Sequence, residues 1–419
     1  MAVADGGVEG SESAIKALVD IVSKSAVVET YRNEILVADW KVKQQQAADS
    51  PQISFTTAGK FPIADTVNES ANRVSDVDRR YLDGIFQVSK PLYDWGKNEA
   101  LIQANKLRRQ SSVYKFQMVH EEEMAKLLSL SVDYLRIIGE LDILNRDVAF
   151  LSQTLVSVRK RFEAGAGSLE DVRRLELKRL DLERDLERAK NAQQQSAETI
   201  RKRFSVDVTE IEDVVMALLS VIPKPQDITI EGSSLMASRS SELEQKALDY
   251  EIASVLGEKR PAVTGTLTSR LFNIVTDPLD EYEIYGGLNV EFPVFDGGAR
   301  DARVAGLNTQ KVIVRSRLRE ELDRVDERWY ELSAEFENTV SMLEQDERRL
   351  STLRDRLDAL KKRLEAVQVT INDLAEAELA RTQAVRSIQS MEWSLLKIAV
   401  QKADAADKLY ADLNVELPL

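Results

Sequence analysis

The sequence predicts a mainly α-helical chain with a transmembrane β portion, in which long helices occur twice and the strands of several copies close one β-barrel. Three observations predict this. Two similar corners, "PLYDWG" at 91–96 and "PVFDGG" at 293–298, lie 202 positions apart (293 − 91). Each corner ends a run in which apolar and polar residues alternate, the period of a half-buried strand. Each also opens a long charged run whose apolar residues step by three and four, the period of a packed helix.

Composition sets the bounds. The 419 residues are 43% hydrophobic and 31% charged, too apolar and too patterned for a disordered chain. Aromatic residues make up 6%, with 17 Gly and 9 Pro, which is a helix-rich composition with little punctuation. The net charge of −14 argues against nucleic acid as a partner, which would call for a basic face. The absence of cysteine excludes disulfides, thiolate metal sites, Cys nucleophiles and a lipidated N-terminal Cys. One histidine, His120, cannot build a multi-His site, and on its helical seam it reads as a packing residue. No phosphate loop, Ser/His/Asp set or metal cluster is present, so neither an enzyme nor a cofactor is expected. Paired acids such as Glu121–Glu122–Glu123 read as solvated helix faces. No run of about 18 apolar residues exists to form a transmembrane helix.

The elements follow in order. Residues 1–50 read as an N-terminal helix and 51–95 as two strands. Residues 96–203 read as a long helical hairpin, and 204–232 as a mixed segment of short apolar pieces. Then come a helix over 233–259, two more strands over 260–297, a second hairpin over 298–409 and a final segment over 410–419. At the common offset Gly84 meets Gly286, Val88 meets Val290, and "RFEAGAGSLEDV" (161–172) meets "RLEAVQVTINDL" (363–374). The second helix shows its seam best, from Leu318 through Leu322, Val325, Trp329, Leu332 and Phe336, then Leu343, Leu350, Leu353, Leu357, Leu360, Leu364, Val367, Ile371 and Leu374, with Asp346 the one charged break. At about 1.5 Å per residue it spans about 100 Å, deeper than any globular core.

The strands place an apolar set opposite a polar one. Ile53, Phe55, Thr57, Gly59 and Phe61 share a face in the first, and Leu82, Gly84, Phe86 and Val88 in the second. Val263, Gly265, Leu267 and Leu271 do so in the third, and Ile284, Gly286, Leu288, Val290 and Phe292 in the fourth. This alternation suits a barrel with lipid outside and water inside, and is also that of a soluble antiparallel sheet. Two features favour the barrel. The helices are committed to their own seams, and the links Pro62–Arg80 and Asn273–Glu281 are polar and longer than tight turns. Four strands cannot close, and an open edge in lipid costs several kcal/mol per unpaired backbone group. Two copies would give eight strands with a filled interior, and three would give twelve with room for a channel. The corners hand each strand to its helix. Pro91 and Pro293 lack an N–H and suit the end of pairing, Asp94 and Asp296 can cap the helix, and Gly96 and Gly298 permit the turn.

The two P-[LV]-[YF]-D-x-G corners, the "RFEAGAGSLEDV" tip and the duplication of about 200 residues together resemble the TolC-like outer-membrane efflux and secretion channels, the outer membrane factors. The resemblance covers roughly residues 12–415. It implies a homotrimer in the outer membrane of a Gram-negative bacterium, extending into the periplasm, with a signal peptide already removed. On this resemblance twelve strands would contact outer-membrane lipid, and the barrel would continue into a barrel of helices. An equatorial belt would come from 204–232 and the C-terminal segment. The function implied is passive export as the exit duct of a tripartite efflux pump or type I secretion system, with a periplasmic adaptor (membrane fusion) protein and an inner-membrane pump or ABC transporter. The alternative is a cytosolic coiled-coil scaffold, which explains the seams but not the duplicated strand, corner and tip. The resemblance puts an acidic gate at Asp373 and Glu376, with Asp171 in the matching place of the first repeat. Adaptor contacts fall at the tips: Gly165, Gly167, Ser168 and Leu169 in the first, and Val367 and Thr370 in the second. Val367 replaces the tip glycine, and a left-handed residue there costs about 1 kcal/mol or more. The second turn is therefore expected to be straighter, or to fall at Asn372 and Asp373.

Overall fold

The computed structural model describes residues 7–60, 81–219, 222–231, 235–272, 282–365 and 370–410. In chain order the elements are α1 (Gly7–Ser23), α2 (Ala26–Ala47), β1 (Gln52–Lys60), β2 (Tyr81–Tyr93), α3 (Lys97–Glu163), α4 (Leu169–Phe204) and α5 (Val208–Leu219). They continue with α6 (Met236–Gly257), β3 (Ala262–Leu271), β4 (Tyr282–Glu291), α7 (Ala299–Glu365) and α8 (Ile371–Ala405). The duplication reaches the element boundaries. Helices α3 and α7 both have 67 residues and are offset by 202 (299 − 97). Helices α2 and α6 both have 22 and are offset by 210 (236 − 26), as are the starts of β1 and β3 (262 − 52).

Three expectations need correction. The single helix over 1–50 is two helices, broken at Lys24–Ser25, where the Ser25 hydroxyl accepts from the Val28 amide at 3.3 Å as an N-cap does. The glutamate run 121–123 is not a solvated face, because Glu121 and Glu123 are buried and only Glu122 is exposed. The second tip does not turn at Asn372–Asp373, because both residues are already helical in α8.

The chain divides into two compact units. One holds Met1–Arg32, Tyr114–Ser238 and Arg319–Leu419. Its core includes α1, with Ile15, Leu18, Val19 and Val22 buried, in contact with α5, whose buried side is Val208, Ile211, Val215, Leu218 and Leu219. Further on, Leu151, Leu155 and Val158 of α3 meet Val172 and Leu175 of α4 and Ala375 of α8. Along α7 the seam Leu322, Val325, Trp329, Leu332, Phe336, Leu343, Leu350, Leu353, Leu357, Leu360 and Leu364 is buried or half-buried, and most of the intervening side chains are exposed. His120 is fully buried, with Ser23 Oγ 3.0 Å from its Nε2 and the Tyr410 hydroxyl 2.6 Å from its Nδ1.

The other unit holds Asn33–Val113 and Arg239–Leu318, and contains the sheet. Its helices are tied by polar contacts. Arg108 of α3 meets Glu244 and Glu251 of α6, and Arg109 meets Asp39 of α2. The buried hydroxyls of Ser111 and Ser240 lie 2.9 Å apart, small enough for α3 and α6 to approach closely.

A two-faced sheet, two corners and a helical tip

The four strands form one antiparallel sheet in the order β1-β2-β3-β4, so β1 and β4 each carry an open edge. The register joins the four alternating runs into two faces. Ile53, Val88, Leu267 and Gly286 form one cross-strand row, Phe55, Phe86, Ser269 and Ile284 the next, and Thr57, Gly84, Leu271 and Tyr282 a third. Gly265 with Leu288, and Val263 with Val290, extend this side. Its large side chains are left uncovered: Leu288 is 72% exposed, Ile53 66% and Ile284 62%. A soluble sheet would bury such a face against a core. Ser54, Gln87, Thr268 and Tyr285 form a row on the opposite side, and Gln52, Ser89, Thr266 and Gly287 another. There Arg270 of β3 donates to Asp83 of β2 at 2.6 Å, pairing a carboxylate that is almost fully buried. The expected face member Phe61 and the two strand links lie outside the described residues.

Both corners are built by one device. The Asp94 carboxylate accepts from the amides of Gly96 (3.0 Å) and Asn98 (2.7 Å), and Asp296 accepts from those of Gly298 (3.0 Å) and Arg300 (3.2 Å). Each carboxylate satisfies free amides at a helix N-terminus and faces the positive end of its dipole. Arg300 also donates its guanidinium to Asp296. These bonds, the side-chain bond from Arg300 first, hold the Asp296 carboxyl down at about 2. Gly96 (φ +76°), Gly297 (φ +65°) and Gly298 (φ +86°) take left-handed backbone, and Trp95 stands at φ +59° where the second corner has Gly297. The Trp95 indole donates to Pro261 O at 2.8 Å, and the Arg260 guanidinium lies over its ring. Those contacts offset the strain of a left-handed non-glycine residue. Pro91 ends pairing on one side only. The β1 partners stop at Ser89, whereas pairing with β3 continues past a bulge to Tyr93. Pro293 lies two residues beyond the end of β4.

At the first tip α3 closes on Gly165 (φ +76°), with Gly165 N bonded to Phe162 O and Ala166 N to Arg161 O, each at 2.9 Å. This is a Schellman stop, which needs a left-handed residue. Gly167 lies so close to Phe162 that an added Cβ would stand 3.1 Å from its amide nitrogen. Ser168 then caps α4, its hydroxyl accepting from Glu170 N at 3.1 Å, and Leu169 is exposed. The second tip repeats the cap 202 positions on (370 − 168). Thr370 and Asp373 form a capping box, in which Thr370 Oγ1 accepts from Asp373 N and the Asp373 carboxylate accepts from Thr370 N at 3.0 Å. Val367 lies outside the described residues.

The three sequence-designated acids are therefore engaged within one chain. The Thr370 hydroxyl and amide hold the Asp373 carboxyl below the usual range. Glu376 pairs with Lys178 at 2.8 Å and lies 4.0 Å from Arg174. Asp171 accepts at 2.7 Å from the buried Asn372, which also donates to Asp171 O. The sequence singled out Asn372 only as a turn position and Lys178 not at all, although Asn372 stands one place before Asp373 and its counterpart in the first repeat is Glu170 (170 + 202). Among the described residues no cluster of His, Cys, Asp and Glu is arranged to hold a metal, and no helix is long and apolar enough to cross a membrane.

Comparison with known proteins fits this geometry. Residues 30–203 match the family model of the outer membrane efflux proteins. No curated protein matches the sequence. Among solved structures, the outer membrane protein VceC of Vibrio cholerae superposes with a TM-score of 0.73 at 12% identity, over 94% of this chain and 96% of its own. The CmeC outer membrane channel of Campylobacter jejuni gives 0.74 at 14% identity, over 94% and 86%. The open state of the MtrE outer membrane channel of Neisseria gonorrhoeae gives 0.68 at 15% identity, over 96% and 89%. These likenesses show the fold, and the family match covers the strand, corner and hairpin of the first repeat. Residues 30–203 are thus similar to the outer membrane efflux proteins, and the chain as a whole has the fold of the outer membrane channels it superposes on.

Proposed function

We propose that the chain is the outer-membrane exit duct of a tripartite efflux pump or type I secretion system. The observation that carries this reading is the sheet, which has one exposed apolar face, one polar face and two open edges. Unpaired edges are intolerable in hydrocarbon, so β4 of one copy pairs with β1 of the next, and three copies close twelve strands around a lumen. The apolar rows then face lipid and the polar rows face water. Export is passive: an inner-membrane pump or ABC transporter supplies the energy, and a periplasmic adaptor docks on the tips around Gly165, Gly167, Ser168, Leu169, Val367 and Thr370.

Asp373, with Asp171 and Glu376, is the acidic gate of this reading. Three copies of a carboxylate around one axis focus a negative field and favour cations. Asp373 carries most of that role, because Lys178 and Arg174 offset Glu376 and Asn372 holds Asp171. Planar-bilayer recording on the full chain tests both parts. Discrete conductance steps are expected, with a cation preference that falls in Asp373→Asn, a change that keeps an acceptor for the helix cap. Silence at every voltage overturns the channel, and an unchanged preference overturns the gate alone.

A further inference from the structure

The unit that holds Tyr114–Ser238 contains a cluster of acids that the export reading does not use. Glu121 of α3 is 1% exposed. One of its oxygens accepts from the Leu409 amide, and the other, Oε2, is buried without a hydrogen-bond partner. Asp404 and Asp407 are the charged groups that bear on it most. One position back, His120 is held between the Tyr410 hydroxyl at 2.6 Å and Ser23 Oγ at 3.0 Å. Helix α8 ends with Asp407 left-handed (φ +51°), and Lys408 N bonds Ala403 O at 2.9 Å. Asp407 in turn accepts from Met236 N at 2.6 Å. The segment Ala406–Tyr410 is thus pinned to α3 by two adjacent buried side chains, and to the start of α6 by a third.

We propose that this cluster is a proton-operated clasp, in which protonated Glu121 keeps Ala406–Tyr410 docked on α3 and loss of protons from Glu121 and Asp404 releases it. The charge balance supports the direction. From α3, Glu122 repels and Lys126 attracts Asp404, and α7 contributes Arg328 as a second attraction. α2 brings Arg32, which acts on His120, and α1 brings the Ser23 hydroxyl. Arg203 of α4 is committed to Glu123, and Lys408 reaches Thr229. Among the described residues, no cation donates a hydrogen bond to Glu121.

Burial, then Asp407 and Asp404, push the Glu121 carboxyl up to about 9, and burial pushes Asp404 up to about 7. A carboxyl raised in the folded state favours docking below its unfolded value, and that contribution is lost as pH rises through the folded one. Burial, with Arg32, lowers His120 to about 4, so the neutral ring is the docked form and acid opposes docking only as pH falls from the ordinary histidine range towards 4. The clasp therefore loosens on the alkaline side.

Hydrogen exchange of the Leu409 and Tyr410 amides, on the full chain in lipid or detergent and corrected for intrinsic rates, tests this. Protection should fall by about tenfold or more between pH 6 and pH 9, since each pH unit across a titration is worth up to a factor of about 10. In Glu121→Gln, which is neutral and keeps an acceptor for Leu409, the fall should shrink to about threefold or less. Should that variant fail to assemble, Asp404→Asn decides, because it leaves the Leu409 bond intact and removes one of the two titrations, so the fall between pH 6 and pH 9 should shrink. A flat wild-type profile overturns the clasp, and so does a variant profile that overlays the wild type.

Discussion

Placing an arginine at Leu267 separates a lipid-facing sheet from a water-facing one. Leu267 is the sixth residue of ten in β3, in the row with Ile53, Val88 and Gly286, and it is 51% exposed in the chain. If that face met water, Leu267→Arg would be an ordinary surface change, within about 0.5 kcal/mol. If it meets hydrocarbon near the middle of the bilayer, the cost is about 2–4 kcal/mol per chain. Threefold repetition brings this to about 6–12 kcal/mol per assembly, enough to abolish insertion. Thr266→Arg is the control, one residue away on the opposite face beside Ser89 and Gly287. The assay is the yield of heat-stable oligomer after urea dilution into lipid vesicles, followed by a denaturant titration of whatever inserts. The arginine at 267 should lower both readings sharply, and the arginine at 266 should lower neither by more than about 1 kcal/mol. Equal behaviour of the two variants would refute the assignment of faces.

Other expectations concern the helices. Gly165→Ala meets no neighbour but forces an alanine to φ +76°, at about 1–2 kcal/mol, and should raise trypsin cleavage at Arg161 with little change in global melting. Asn372→Ala removes the buried donor to Asp171 and should cost about 1–3 kcal/mol, read as faster exchange in the first turn of α8. Arg203→Gln leaves Glu123 buried with Lys126 as its remaining cation, and should cost about 2–3 kcal/mol at neutral pH. Burial opposes ionisation of Glu123, but the bonds from Arg203 and Lys126 outweigh it, so its carboxyl sits below the usual range. That contribution is present above the unfolded value and is lost as pH falls, so the wild-type advantage over Arg203→Gln should shrink in acid melts.

The repeated features were legible because each is local. A corner such as Asp94–Trp95–Gly96 is made by bonds between residues two and four apart, and the α7 seam needs only its own spacing. The faces of the sheet were legible for the same reason, since alternation fixes which residues can share a side once the register is set. What escaped depends on distant partners. Glu123 is buried because Arg203 lies 80 positions on, and Glu121 because Leu409 lies 288 positions on. A run of three glutamates carries no trace of either. Trp95 gave no sign of its left-handed backbone, because the Pro261 carbonyl that holds it belongs to the other repeat. At the tip, the acids were found by resemblance, while the residues that engage them, Asn372 and Lys178, stand out only once α4 and α8 are packed.

The claim on which the account depends is that copies pool their sheet edges. The chain has no cysteine, so introduced pairs report without background. Within one chain β1 and β4 are separated by two intervening strands, about 14 Å at the usual spacing, too far for a disulfide. Ser54→Cys combined with a cysteine scan from Glu283 to Asn289 can therefore cross-link only between copies. After oxidation in lipid, a non-reducing gel should show species of two and three chains at one register and none larger. Monomer alone at every register, or a ladder running beyond three, would contradict it.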